Sequence, residues 1–376
     1  MHSIGSISFA SRQKPPGVGL DAETARRHND AGCALLDQLK IPAAIEQFRQ
    51  ALRLRSDFPE ARMNLALALL TLGEFEEGWR HFEYPRTGPA RHVGQVWSGE
   101  DLAGKTILLW AEGGLGNVIQ FARYATLVAA LGGKVILECQ PALKRLLATV
   151  PGISQVINCP LAGGAGKGET PPPFHFHAPL TRLPRIFGTT LQNVPAQVPY
   201  VSADPTLVKH WGREMKRIKG LKVGIVWEAE QATWYGRQRS IPLEHFAALA
   251  SVPGVSLVCL QKGFSGPTCG ARSRTATFPL TILADLDGSR GAFMDTAAVM
   301  QHLDLVITAD TSTAHLAGAL GVPAWVALRT PGDWRWMLDR EDSPWYPTLR
   351  LFRQRRRDDW QGVFERMAAE LAGRVA

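Results

Sequence analysis

The chain has 376 residues, 45% hydrophobic and 20% charged, with 42 Lys and Arg against 34 Asp and Glu. That composition excludes an intrinsically disordered protein, and the length predicts two or three domains rather than one core. The net charge of +8 is mild for this length; it favours anionic ligands in general and does not mark a nucleic-acid partner, and none is expected.

Five cysteines (Cys33, Cys139, Cys159, Cys259, Cys269) are scattered without a CxxC pair, which fits reduced thiols and a cytoplasmic location. No apolar stretch reaches the roughly 18 residues of a membrane span. The opening MHSIGSISFASRQKPPGVG lacks the apolar run of a signal peptide, so residues 1–20 read as a disordered lead.

Residues 21–88 are rich in alanine and leucine at helical spacing. They repeat at an offset of 34: Gly32 with Ala66, Leu35 with Leu69, Ala44 with Gly78, Phe48 with Phe82. Small residues recur where helices must touch and bulky ones where a core must be filled. The period resembles the tetratricopeptide repeat, with SDFPEA between the two copies and Ser56 where the repeat usually has proline. Two copies fall short of the about three that stand alone, so the segment is expected to pack on the region C-terminal to it.

From Lys105 the texture turns to α/β. TILLWAE reads as a strand, Asn117 to Leu131 as one helix, KVILECQ as a strand, PALKRLLATV as a helix and SQVINCP as a strand. LAGGAGKGETPPPF is a loop or flap, and residues 190–205 a proline-rich connection. A second alternation comes next: strands LKVGIVWE, VSLVCLQ, DLVITAD and PAWVAL, with helices PLEHFAALAS, MDTAAVMQHL and STAHLAGALG. RLFRQRRR, Arg350 to Arg357, reads as a solvated helix start, and the chain closes on helix WQGVFERMAAELAGRV. The expected class is α/β, with two Rossmann-like doubly wound lobes at 89–205 and 206–352 behind an all-α segment, and a terminal helix at 353–376.

Four stretches carry chemistry. The loop EGGLG, with Gly113, Gly114 and Gly116, joins a strand to a helix and either presents backbone N–H groups to a ligand or simply turns the chain. Read as a dinucleotide loop it would use Glu138 on a ribose, but Ile119 stands where a third glycine belongs. In ITADTSTAHLAGALGVP, Asp310 ends a strand and Thr311, Ser312 and Thr313 begin a helix. Hydroxyls and N–H groups there suit a diphosphate, and N-capping explains them equally. His315 could reach a ligand or serve the core. Arg237, Arg239 and Lys262 lie near strand ends, where cations suit a pyrophosphate. In DWRWMLDREDSPWYPTLRLFRQ, aromatics beside Arg335 and Arg340 either wall a pocket or pack the two lobes together.

Together AEGGLGNVIQFARY, RQRSIPL, LQKG, DTSTAHLAGALGVP and DWRWMLDREDSPWYPTLRLFRQ resemble the heptosyltransferase (family 9) glycosyltransferases, of the glycosyltransferase-B type, joined to tetratricopeptide repeats. The resemblance implies a metal-independent, inverting transfer from a nucleotide-sugar co-substrate to a hydroxyl, without a cofactor. Asp310 would bind donor hydroxyls, Thr311 to Thr313 the diphosphate, and Arg239 and Lys262 would neutralise it; the repeats would recruit a protein partner. The pattern departs at Asn117, where the family usually has the aspartate that serves as base. It departs again at Gly113, where glutamine is usual, and in VWEAEQATWYG. An amide accepts no proton at neutral pH, which leaves Glu112, Asp333 or Glu228 as substitutes. It also leaves a non-catalytic relative acting as a binding or scaffold module as the alternative. A nicotinamide-dependent dehydrogenase rests on the glycine loop alone.

Overall fold

The computed structural model describes residues 20–82, 92–160, 168–231, 233–262, 276–289 and 291–375. The lead, residues 161–167 of the expected flap and Cys269 lie outside them.

Four helices come first: α1 (Leu20–Asp37), α2 (Ile41–Leu54), α3 (Pro59–Leu72) and α4 (Phe75–His81). Proline sits in the first turn of α2 and of α3, where its missing N–H costs nothing, and Gly73 (φ 84) closes α3 in the left-handed conformation. The small residues of the repeat are contact points. A Cβ on Gly32 would stand 2.4 Å from the Phe48 ring, and one on Gly78 would stand 2.7 Å from Leu70. Helix α3 is buried on nearly every side. Leu65, Ala68 and Leu69 face the repeat core, while Met63, Ala66, Leu67 and Leu70 belong to the main core shared with the α/β region. Two repeats therefore hold because the second is roofed by the lobes, as the short repeat count required.

The first sheet is parallel, in the order β1-β5-β2-β3-β4: β1 (Gln95–Val96), β2 (Thr106–Trp110), β3 (Lys134–Cys139), β4 (Ile153–Asn158) and β5 (Phe176–Pro179). Its helices are α5 (Leu115–Ala122), α6 (Tyr124–Ala130), α7 (Lys144–Leu147) and α8 (Leu183–Ile186). The second sheet is also parallel: β6 (Leu221–Val226), β7 (Val255–Cys259), β8 (Thr281–Ile282), β9 (Leu305–Ala309), β10 (Ala324–Leu328) and β11 (Leu349–Arg353), in the order β11-β10-β9-β6-β7-β8. With it go α9 (Pro205–Met215), α10 (Trp234–Arg239), α11 (Ala247–Ala250), α12 (Met294–Met300), α13 (Ser312–Ala319) and α14 (Trp360–Val375). The expected class is what the structure has: two parallel α/β lobes behind a helical repeat segment.

Two local readings need correction, and two stretches gain detail. The single helix expected from Asn117 to Leu131 is instead two, interrupted at Arg123, whose dihedrals stay near helical (φ −54, ψ −30) and whose Nε donates to the Gln120 carbonyl at 2.9 Å. FHAP, between the expected loop and the proline-rich connection, is strand β5, too short and proline-flanked to show a period. The proline-rich connection runs straight into α9, with Pro205 in its first turn and Asp204 capping Thr206 and Leu207. RLFRQRRR does not start a helix: its first half is edge strand β11, and α14 begins at Trp360.

Candidate functional site at the lobe seam

Each sheet reverses its strand order once. In the second lobe the chain walks one way from β6 to β8 and the other way from β9 to β11, so the reversal lies between β6 and β9. In the first lobe it lies between β2 and β5. Ligands of open α/β sheets sit at the carboxyl ends of the strands flanking such a point.

In the second lobe those ends are Trp227–Glu228 and Asp310–Thr311. The Gln261 side-chain oxygen accepts from the Trp227 and Glu228 backbone N–H groups at 3.2 and 2.9 Å, which fixes the β6 end. Arg239, the last residue of α10, donates to the Asp310 carbonyl at 2.7 Å, whereas Arg237 donates to Gln231 O in its own loop. Thr311 caps α13 by accepting from the Thr313 N–H at 3.2 Å. Ser312 opens the helix, and Lys262 is exposed beyond β7. In the first lobe, Thr181 donates to the Glu112 carboxylate at 2.6 Å across the β2–β5 reversal. This joins the two strand ends under a pocket that Trp79, Trp110 and His177 also line.

The two reversal points meet where α5 packs on α13. Gly116 permits that approach, since a Cβ there would stand 2.7 Å from the His315 ring. Gly113 is needed for its φ of 75°, and Gly114 is exposed at the N-cap with open space around it. Asn117 is buried, and its side-chain oxygen accepts from Arg335 Nη2 at 2.5 Å. The same guanidinium donates to Asp333 at 2.8 Å and to the Gln120 side chain. The cluster so formed holds one cation and one carboxylate, and aspartate at position 117 would add a second carboxylate to it. Asp310 is buried as well. Burial holds its carboxyl above the usual aspartate range and Asp333 pushes the same way, while the Arg239 cation opposes both. Trp334, Trp336, Trp345 and Tyr346 are packed in the core beside it, so the aromatics of this stretch join the lobes, and Arg340 pairs with Asp342 away from the seam.

His315 stacks on Trp336 with centroids 5.6 Å apart, and its Nδ1 lies 2.9 Å from the Tyr346 hydroxyl. Burial, reinforced by the Arg335, Arg123 and Arg239 cations, pushes its pKa well below the ordinary histidine value. Unfolded, the ring takes up a proton near about pH 6.5; folded, it stays neutral to lower pH. Its contribution to stability is therefore full above that value and is lost as pH falls below it, by up to about 1.4 kcal/mol per pH unit. Asp310 has the opposite sign, its contribution being present below the ordinary aspartate value and lost as pH rises through its raised folded value. His315→Gln should therefore flatten the decline in urea midpoint between pH 7 and 6; an unchanged slope would assign that decline to another group.

Arg123, missed as a site residue, ties the lobes together. It is 4% exposed and donates to Gln120 O, Pro195 O, Trp345 O and the Tyr200 hydroxyl, with its guanidinium over the Tyr200 and Tyr346 rings. The signal was present in the sequence, since Arg123 is the one charged residue in LGNVIQFARYATLVAAL. Glu138, the ribose acid of the dehydrogenase reading, lies 2% exposed against His92 at 2.7 Å. Among the described residues no group of three or more His, Cys, Asp or Glu is arranged to hold a metal, and no helix is long and apolar enough to cross a membrane.

Fold and seam define a helical-repeat segment joined to a two-lobed parallel α/β protein in which the helices after the two reversal points, α5 and α13, pack on each other. The tetratricopeptide repeat family profile matches residues 29–78. Protein FlbA of Caulobacter vibrioides is 28% identical over 400 residues, covering 98% of this chain. The chain spans 64% of that relative's length. Among solved structures, a glycosyl transferase family 9 protein from Veillonella parvula is similar at 13% identity and a TM-score of 0.49, over 69% of this chain and 88% of that one. The ADP-heptose LPS heptosyltransferase II of E. coli is similar at 14% identity and a TM-score of 0.49, over 72% of this chain and 100% of the other.

Proposed function

We propose that the chain transfers a sugar from a nucleotide-sugar donor to a hydroxyl acceptor, with the donor held by the second lobe and the acceptor by the first. One observation supports this reading: the strand ends at both reversal points bear the chemistry expected of them, and the helices that follow them, α5 and α13, pack on each other. Asp310 and Arg239 stand at the β9 end; Glu112 stands at the β2 end, in a pocket lined by the first lobe and the repeat segment. In this scheme Glu112 takes the acceptor proton as the acceptor oxygen bonds to the anomeric carbon and the bond to the diphosphate breaks. Arg239, Lys262 and the N-terminus of α13 meet the charge of the departing diphosphate, and displacement from the opposite face inverts the anomeric centre. The repeats recruit the protein that carries or presents the acceptor.

The Asn117–Arg335 hydrogen bond favours a second reading, a cleft that binds nucleotide-sugar without transferring it. Release of nucleoside diphosphate from a panel of UDP-, GDP-, ADP- and CDP-sugars separates the two. Release by the wild type, abolished in Asp310→Ala, supports transfer; donor binding without release supports the second reading.

A further inference from the structure

The basic run that ends β11 is part of a larger feature. A groove of about 770 Å³ lies between β11, the segment before it and α14, and six arginines line it: Arg340, Arg350, Arg353, Arg355, Arg366 and Arg374. Three carboxylates share the lining, Asp339, Glu341 and Glu370. Arg350 takes Glu341 and Glu370, and Arg340 is held by Asp342. The remaining four make no ion pair among the described residues. Arg353 donates to the Arg340 and Trp336 carbonyls, Arg366 to the Arg353 carbonyl, Arg374 lies over the Trp325 ring, and Arg355 is exposed. Burial pushes Arg353 down to about 10 and lowers Arg366 too, with the Arg355 cation adding to the latter.

We propose that this groove docks an acidic segment of a partner polypeptide. Charge sets the sign of the occupant, and spacing sets its kind. Arg366 and Arg374 are two turns apart on α14, about 12 Å along the helix axis. That row matches about four residues of extended chain, whereas a lone phosphate would meet only one end of it. Guanidinium forks suit carboxylates at both ends. The groove also adjoins the repeats: Leu338 at its rim packs on the repeat core, and Arg357 donates to the Asp37 carbonyl at the end of α1 at 3.1 Å. A partner seated on the repeats thus has its next contact here. Docking of this kind does not depend on sugar transfer.

The test is fluorescence anisotropy of a labelled oligoglutamate peptide with the full chain. Wild type should bind it, and Arg355→Glu and Arg374→Glu should each weaken binding by about tenfold or more. Lys209→Glu, at an exposed position of α9 outside the groove, should leave binding unchanged. Arg355 is exposed, so its variant should fold even if loss of the Arg374–Trp325 contact unsettles α14. Equal binding by the groove variants, an equal loss in Lys209→Glu, or equal binding of an oligoglutamine peptide would overturn the proposal. Tighter binding of tripolyphosphate at the same arginines would overturn the choice of a peptide.

Discussion

Glu112→Gln should lower turnover by about a hundred- to ten-thousandfold while leaving donor affinity unchanged, because the amide keeps the side chain's size but cannot take the acceptor's proton. The position is suited to the task. Glu112 is half-buried at the open end of β2, held by the Thr181 hydroxyl at 2.6 Å, and lines a pocket beside the glycine loop. Asn117 is placed differently, with its oxygen held by Arg335 inside the seam. Restoring a carboxylate there should not raise turnover, since Asn117→Asp would put it against a guanidinium that already holds Asp333. Initial rates for the two variants decide the matter. A gain in Asn117→Asp together with an unaffected Glu112→Gln would return the base to position 117 and sink the assignment of Glu112.

Arg123→Ala should destabilise the folded chain by about 3–5 kcal/mol. Truncation leaves the Pro195, Trp345 and Gln120 carbonyls without their charged donor, removes the cation from the Tyr200 and Tyr346 rings, and opens a cavity at the junction of the lobes. Each unsatisfied buried acceptor costs about 1–3 kcal/mol, partly offset because a buried charge no longer has to be desolvated. Arg123→Lys keeps the charge but not the planar fork, so it should recover only part of the loss. Urea denaturation of the three proteins reads this directly. A loss under about 1 kcal/mol in Arg123→Ala would mean that the lobes are held by their other contacts, the apolar packing and the Arg335 hydrogen bonds to Asn117 and Gln120.

Much of this architecture could be read from the sequence. Apolar runs separated by helical stretches gave both parallel sheets, and the offset of small and bulky residues gave the repeat, because these patterns record burial directly. The strand-to-helix turn at Asp310 was legible for a similar reason: a strand, a polar turn and a helix start lie consecutively in DLVITADTSTAHLAGALG. What escaped depends on residues far apart in the chain. Arg335 meets Asn117 and Gln120 across 218 and 215 positions, and Arg123 meets Trp345 across 222. No local period reports such contacts. Gly116 was read as part of a ligand loop, yet its missing side chain also admits His315 from the other lobe. The arginine groove was hidden because its lining is split between the segment before β11, β11 with Arg355 just after it, and α14.

The most direct measurement is donor binding by thermal shift, with wild type and Asp310→Ala screened against UDP-, GDP-, ADP- and CDP-sugars. A ligand at 100 times its dissociation constant stabilises the folded state by about 2.7 kcal/mol, a rise of several degrees for a chain of this size. The proposed function predicts such a rise with one nucleotide class and its loss in Asp310→Ala. No rise with any donor, or the same rise in the variant, would contradict a donor site at the β9 end.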